Sequence, residues 1–375
     1  MTVRRFGVEE ELLLTDATTG ALRPVACEVI ALCEARSNTD NSAERGAQVK
    51  NEFFLSQVEV ATGPHVGTGA IRDELTDARA RIADAGAQWG VTPLAVPGPV
   101  LAVDAKRPDD LSPGERYAQI ERHYGEVARQ SLMCALHVHV EVADEHEGVA
   151  VIDRVRPWIP VLVAITANSP YWHGHDVGYD SWRSRVWNMW PTGGPAELFG
   201  DPATYRTVVN NMVRRGAALD KAMVNLDVRL SHRYPTVEFR VADVCTDLDD
   251  ALMMAALARA LVTHFADLWR TGSRAEDWRV DELRAAAWRA ARFGLGGTLV
   301  SPESRELVDA GVVVKQLSTL LAMPLDSAGD TALVTRGIAA LEARGNGAAR
   351  QRAAFVETGD LAGVVADLQA RTLQS

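Results

Sequence analysis

The chain has 375 residues, 47% hydrophobic and 24% charged, the balance of an ordinary globular protein rather than a disordered, collagen-like or coiled-coil one. Its 50 acidic and 39 basic residues leave a formal charge of −11 with no block of five like charges, which argues against a nucleic-acid partner. Four cysteines without paired spacing (Cys27, Cys33, Cys134, Cys245) read as free thiols in a reducing cytoplasm, and the longest nearly apolar stretch, Trp158 to Ala167, is about half of the ~20 residues that span a bilayer, so neither export nor a membrane partner is expected.

In chain order, residues 4–14 read as a strand closed by a turn at 16–20, and helical spacing covers 24–35. A polar loop from 37 to 48 leads into 50–62, whose second half is a strand. Apolar residues at Ile71, Leu75, Ala78 and Ile82 predict a helix over 68–87. Pro and Gly between 93 and 114 mark an extended connection before a helix at 113–130. Period-two alternation makes 132–142 a central strand. A helix at 147–168 precedes an irregular stretch from 168 to 200 that carries four tryptophans, and loops of that length usually have a task. A helix at 203–219 and strands at 224–231 and 236–244 follow, and 247–375 is mostly alanine-rich helix that could supply a homodimer face. About five strands separated by helices imply an α+β fold with a mixed or antiparallel sheet, organised as one domain over residues 1–375.

Several nucleotide and hydrolase signatures are missing. The chain has no Gly-Lys dipeptide, no GxSxG and no HExxH, which removes the P-loop, the nucleophile elbow and the zinc-protease helix. What stands out is acid and imidazole inside predicted strands. A two-residue period puts Glu9 and Glu11 on one face with Glu10 opposite, and does the same for His137 and His139. Glu59 lies between two valines, where a buried carboxylate needs a partner. Glu52, seven residues earlier, falls on the opposite face by simple alternation and reaches Glu59 only past a bulge or from a helix end. Glu238 and Arg240 share a face, and Asp227 and Arg229 repeat that spacing one strand earlier. An exposed acidic edge or a cross-strand ion pair accounts for any one of these. Four strands each delivering such groups are explained at once by a shared cation site, and oxygen-rich donors favour Mg²⁺ or Mn²⁺ over zinc.

The segments Phe6–Leu12, Val58–Thr62, Leu136–His139, Arg183–Trp187, Trp190–Pro195, Asp227–Arg229, Pro235–Arg240 and Trp288–Gly294, in this order, resemble the bacterial type 2 glutamate–cysteine ligase-like, or carboxylate–amine ligase, family. The resemblance covers roughly residues 5–295. It implies a glutamine-synthetase-like catalytic fold, with a curved, mostly antiparallel sheet forming a funnel, flanked by helices and followed by a helical C-terminal part. It also implies small-molecule substrates: ATP, an amino acid and an amine, joined through an acyl phosphate. Carried over by position, Glu9, Glu11, Glu59, His137 and Glu238 match the metal-holding places, with Glu52 and His139 beside them. Arg240, and after it Arg229, would stabilise the transferring phosphoryl group. Arg183 and Arg185 would bind substrate carboxylate or phosphate, and Thr192 to Pro195 would form a mobile cover; the loop tryptophans are expected to pack rather than to stack on adenine. Glu10, Glu52 and Asp243 are the candidates to take the amine proton. A metal-dependent hydrolase and a non-catalytic nucleotide or amino-acid binder are the competing readings.

Overall fold

The first strand, β1 (Phe6–Asp16), is the axis of the sheet, and its residues alternate between a covered and an open side up to Leu12, which begins a run of four buried residues. The computed structural model of the protein describes residues 3–39, 46–103 and 110–374. Six further strands join β1: β2 (Gln48–Asn51), β3 (Gln57–Ala61), β4 (Val91–Leu94), β5 (Ala135–Glu141), β6 (Val228–Leu230) and β7 (Thr236–Asp243). Their order is β2-β3-β1-β5-β7-β6, with β4 pairing the far half of β1, and every pairing is antiparallel.

The α+β expectation holds, with two more strands in this sheet than predicted and two small two-stranded sheets besides. Both β2 and β4 are four residues long, too short to show a period, and Pro93 disguises the second. The helix expected at 113–130 is two, Glu115–Tyr124 and Glu126–Arg129, divided at Gly125, whose φ of +57° suits glycine. The one expected at 147–168 is also two, Glu145–Val155 and Ile159–Thr166, joined by a single tight turn at Arg156–Trp158, where Pro157 supplies no N–H to continue the ladder. The irregular stretch holds the short helix Arg183–Trp187.

The helices Thr68–Gly86 and Leu248–Arg270 pack together and cover one face of the sheet. The predicted apolar stripe Ile71, Leu75, Ala78 and Ile82 is fully buried there. Leu248–Arg270 is long and apolar enough to cross a membrane, but 78% of its most apolar window is buried inside the fold, as befits a core helix. Glu10 points to this covered face, where Arg79 grips it with two hydrogen bonds of 2.9 and 2.7 Å and also donates to the carbonyls of Cys245, Thr246 and Thr372. One buried ion pair thereby ties the central strand to a helix, to the end of β7 and to the C-terminal helix. The other face of the sheet is left to the acidic residues.

Candidate active site

Strand register explains why the acids meet. Glu9 lies opposite His137 on β5, Glu11 opposite Glu59 on β3, and Glu238 on β7 lies between His139 and Arg229. Directly opposed residues share a face, so side chains from five strands converge. Glu52 joins them by a route that alternation along one strand misses. The chain turns back between β2 and β3, Lys50 pairs with Glu59, and Glu52, two residues beyond Lys50, therefore falls on the Glu59 face.

Two groups of three result. Glu9, His137 and Glu238 bring one ligand atom each to within 4.8 Å of one another, and so do Glu11, Glu52 and Glu59. His139 stands in neither group. Its Nε2 is 3.6 Å from Glu9 and its Nδ1 is 3.0 Å from the Thr236 hydroxyl, so it flanks the first group.

The two groups differ in charge. Burial alone raises the Glu9 carboxyl, but hydrogen bonding and charge attraction from His137 and His139 outweigh it and hold the group well below the usual carboxylate range. Burial acts likewise on Glu238, where Arg240 and Arg229 prevail and keep it ionised. Burial, with Arg240 adding to it, lowers His137 to about 4, so its imidazole is neutral at pH 7. The cations near the second group, Arg183, Arg240 and Lys50, are outweighed. Burial and the neighbouring acids push Glu11 up to about 7 and Glu52 and Glu59 to about 8. Lys50, at 3.7 Å from Glu59, offsets only part of this. Carboxylates crowded without enough counter-charge must bind protons or cations.

The donor set fits a divalent metal. Five of its six members offer oxygen, as hard cations require, and His137 Nε2 is buried with no hydrogen-bond partner among the described residues, an orphan a metal would satisfy.

Arginines close the site on its β7 side. Arg229 donates to both oxygens of Glu238 at 2.8 and 3.1 Å, and Arg240 bonds the same carboxylate. Trp187 lies under two guanidinium groups, Arg240 at 5.1 Å and Arg183 at 5.4 Å from its ring. It packs against the core as expected and also turns its π-face to both cations. Trp190 packs edge-on to Tyr124.

The remaining expectations fare unequally. Arg183 is buried and donates to the carbonyls of Arg240 and Val241, so it acts on Glu11 as a fixed positive charge. Arg185 acts, after Arg183, as a positive charge on the buried Asp227. Thr192 donates to Met223 O and accepts from Asn225 N, which makes it a fastening of its loop rather than a ligand-binding group. The loop is further clamped by Asp243, which accepts from Asn168 N, Ser169 Oγ and Ser181 Oγ. Of the three candidate proton acceptors, Glu10 is bonded to Arg79 on the covered face and Asp243 is committed to the loop. Glu52 alone faces the cluster.

From Glu9 and His139 a groove of about 890 Å³ runs toward the start of β1 and the end of β3. Gly7, Ala61 and Gly63 make a low floor, with Lys50 on one side and Tyr234 and Thr236 on the other. The sequence reading missed Lys50 and Tyr234. Lys50 was legible from its i,i+2 relation to Glu52, once the hairpin is known.

Comparisons with known proteins bear on this arrangement. The family model described as glutamate-cysteine ligase family 2 matches residues 5–367. A Streptomyces avermitilis protein named "Putative glutamate--cysteine ligase 2-1" is 42% identical over 370 residues, covering 99% of each chain, and a Streptomyces coelicolor protein named "Putative glutamate--cysteine ligase 2" is 43% identical over 374 residues, again covering 99% of each. Among solved structures, the glutamate–cysteine ligase of Francisella tularensis in complex with AMP superposes with a TM-score of 0.70 at 13% identity, covering 100% of this chain and 89% of that one. A bifunctional glutathione synthetase from Pasteurella multocida gives 0.67 at 14% identity, covering 99% of this chain and 52% of that one. At such identities the two structures show a shared fold.

Proposed function

The chain belongs to glutamate–cysteine ligase family 2, and we propose that it is an ATP- and Mg²⁺-dependent carboxylate–amine ligase acting on the side-chain carboxylate of glutamate or a related acid. One observation carries the reading: two three-ligand groups, Glu9/His137/Glu238 and Glu11/Glu52/Glu59, stand on one sheet face beside fixed arginines and at the head of a groove. In the reaction a substrate carboxylate oxygen attacks the γ-phosphorus of ATP and ADP leaves. The amine nitrogen then attacks the acyl carbon, phosphate departs, and the amine gives up a proton.

Mg²⁺ or Mn²⁺ held by the two groups would supply the positive charge that screens phosphate and carboxylate oxygens. The chain's own residues do the rest by placement, since phosphoryl transfer depends on alignment and electrostatics more than on covalent chemistry. Arg240 is fixed by Glu238 and by Trp187, and its planar fork suits the transferring phosphoryl oxygens. Arg229 holds Glu238 in register. Arg183 keeps positive charge near Glu11. Glu52 would accept the amine proton on the carboxylate oxygen that does not face the cation.

A reducing cytoplasm fits the four free thiols, and the single continuous core, which reaches from Phe6 to Leu368, fits one catalytic unit. The test is ADP release with glutamate, Mg²⁺ and a panel of amines including cysteine, with the amide identified by mass spectrometry. If no acid and amine pair stimulates ADP release, the ligase reading is wrong. Cleavage of ester or amide substrates without ATP would indicate a hydrolase in its place.

A further inference from the structure

The groove beside Glu9 is flanked by an aromatic ring that the reaction as described leaves without a role. Tyr234 is 60% exposed, more than any other Tyr, Trp or Phe ring among the described residues. It sits on the tight connection between β6 and β7, held at the backbone by Ser231 N to Thr236 O at 3.0 Å, Thr236 N to Tyr234 O at 2.8 Å and Tyr234 N to the Ser231 hydroxyl at 3.3 Å. The hairpin is therefore fixed while the ring is largely bare. Among the described residues its one aromatic contact is His139, edge-on at 6.3 Å and 88°, and His139 in turn lies 3.6 Å from Glu9. A short path thus leads from the first cation group through His139 to Tyr234, along one wall of the groove.

Leaving an aromatic face in water forgoes the burial that such rings ordinarily gain. A rigidly presented ring at a groove rim suits a ligand with a flat π-face. On the reading that ATP binds with its phosphates at the Glu9 group, the part of the nucleotide lying farther along the groove is the nucleoside. An amino acid or a simple amine offers no comparable surface. Gly7, Ala61 and Gly63 line the same groove as Tyr234.

We propose that Tyr234 stacks on the nucleobase and so makes this site select a nucleotide over a bare polyphosphate. The inference rests on the ligase reading and adds to it a residue that recognises the base. Titration calorimetry on the full chain with Mg²⁺ separates the two, using ADP and inorganic tripolyphosphate as ligands. Stacking on an aromatic side chain is worth enough that Tyr234→Ala should weaken ADP binding about tenfold. Tyr234→Phe, which keeps the ring, should stay within about twofold of the parent on the same scale, and tripolyphosphate should bind all three proteins alike. Unchanged ADP affinity in Tyr234→Ala would overturn the proposal. So would an equal loss for ADP and tripolyphosphate, which would mean that the substitution acts through the hairpin and not through the base. If the parent protein binds neither ligand, the nucleotide reading itself fails and the role of Tyr234 falls with it, a result distinct from the other two.

Discussion

Replacing Glu52 by glutamine should stabilise the metal-free protein at alkaline pH, against the usual expectation for altering a site residue. Glu11, Glu52 and Glu59 have ligand atoms within 4.8 Å of one another, and two charges at that separation repel by about 3.5 kcal/mol at an effective dielectric of about 20. Solvent on the open side of Glu52 and Glu59 reduces this. Burial, with this repulsion added to it, makes the groups retain protons, pushing Glu11 up to about 7 and Glu52 and Glu59 up to about 8 from an ordinary 4.5. Between pH 4.5 and about 8 the native state binds more protons than the unfolded chain, so stability is full below 4.5 and is lost as pH rises through the folded values. The slope is ~1.4 kcal/mol per pH unit for each proton of difference. Below pH 6.5 the lowered His137 works in the opposite direction, so the informative window is pH 6.5 to 8, across which one proton is worth ~2 kcal/mol. Urea denaturation in EDTA should show the parent losing stability over this window, and Glu52→Gln losing about that much less. With Mg²⁺ the order should reverse, because the parent has three ligands for the second cation and the variant has two good ones. A Glu52→Gln protein that is no more stable than the parent at pH 8 in EDTA would refute the idea that these carboxylates are poised for a cation.

Other perturbations separate the fold from the site. Glu10→Gln breaks a buried pair on the far side of the sheet and should cost about 3–5 kcal/mol in urea denaturation, while the added stability given by Mg²⁺ remains. Arg240→Ala should lower kcat by roughly 10²-fold or more, as loss of one transition-state donor does, and Arg240→Lys should recover little of it because an ammonium lacks the planar fork; steady-state kinetics with saturating ATP would decide. Gly294 has φ of +51°, and a Cβ there would lie 2.0 Å from Asp180 Oδ2 and 2.6 Å from Asn346 Nδ2. Gly294→Ala should therefore lower stability by about 2 kcal/mol or more, seen as a fall in Tm, and the loss should be smaller when Asp180 is also shortened to Ala.

How far the sequence reveals this site depends on which residues share a strand. Glu9, Glu11, His137, His139, Glu238 and Arg240 were readable because each pair lies within one strand, where a two-residue period fixes the face, and the register then brings them together. Glu10 was separable for the same reason, and its burial against Arg79 follows from the same alternation. Glu52, named with the metal candidates, is put on the wrong face by alternation alone, because the face of a residue depends on where the chain turns back. The four-residue β2 carries no periodic signal of its own, so only the second half of 50–62 reads as a strand and the hairpin does not show. The tryptophan-rich loop was hidden for a different reason. Its order comes from contacts far away in sequence, with Asp243 holding Ser169 and Ser181, and Arg352 from the C-terminal helices donating to Asp180 and to Tyr179 O. Local composition marked 168–200 as irregular, but no local rule indicates that an irregular segment is clamped. Here the clamping matters to chemistry, because the same hydroxyl of Ser169 that binds Asp243 also accepts from Arg183 N. The position of Arg183, and through Trp187 that of Arg240, is thus set by one buried carboxylate at the end of β7. Residues bound by register can be read from a strand, whereas residues bound through such a hub become visible only when the distant segments are seen together.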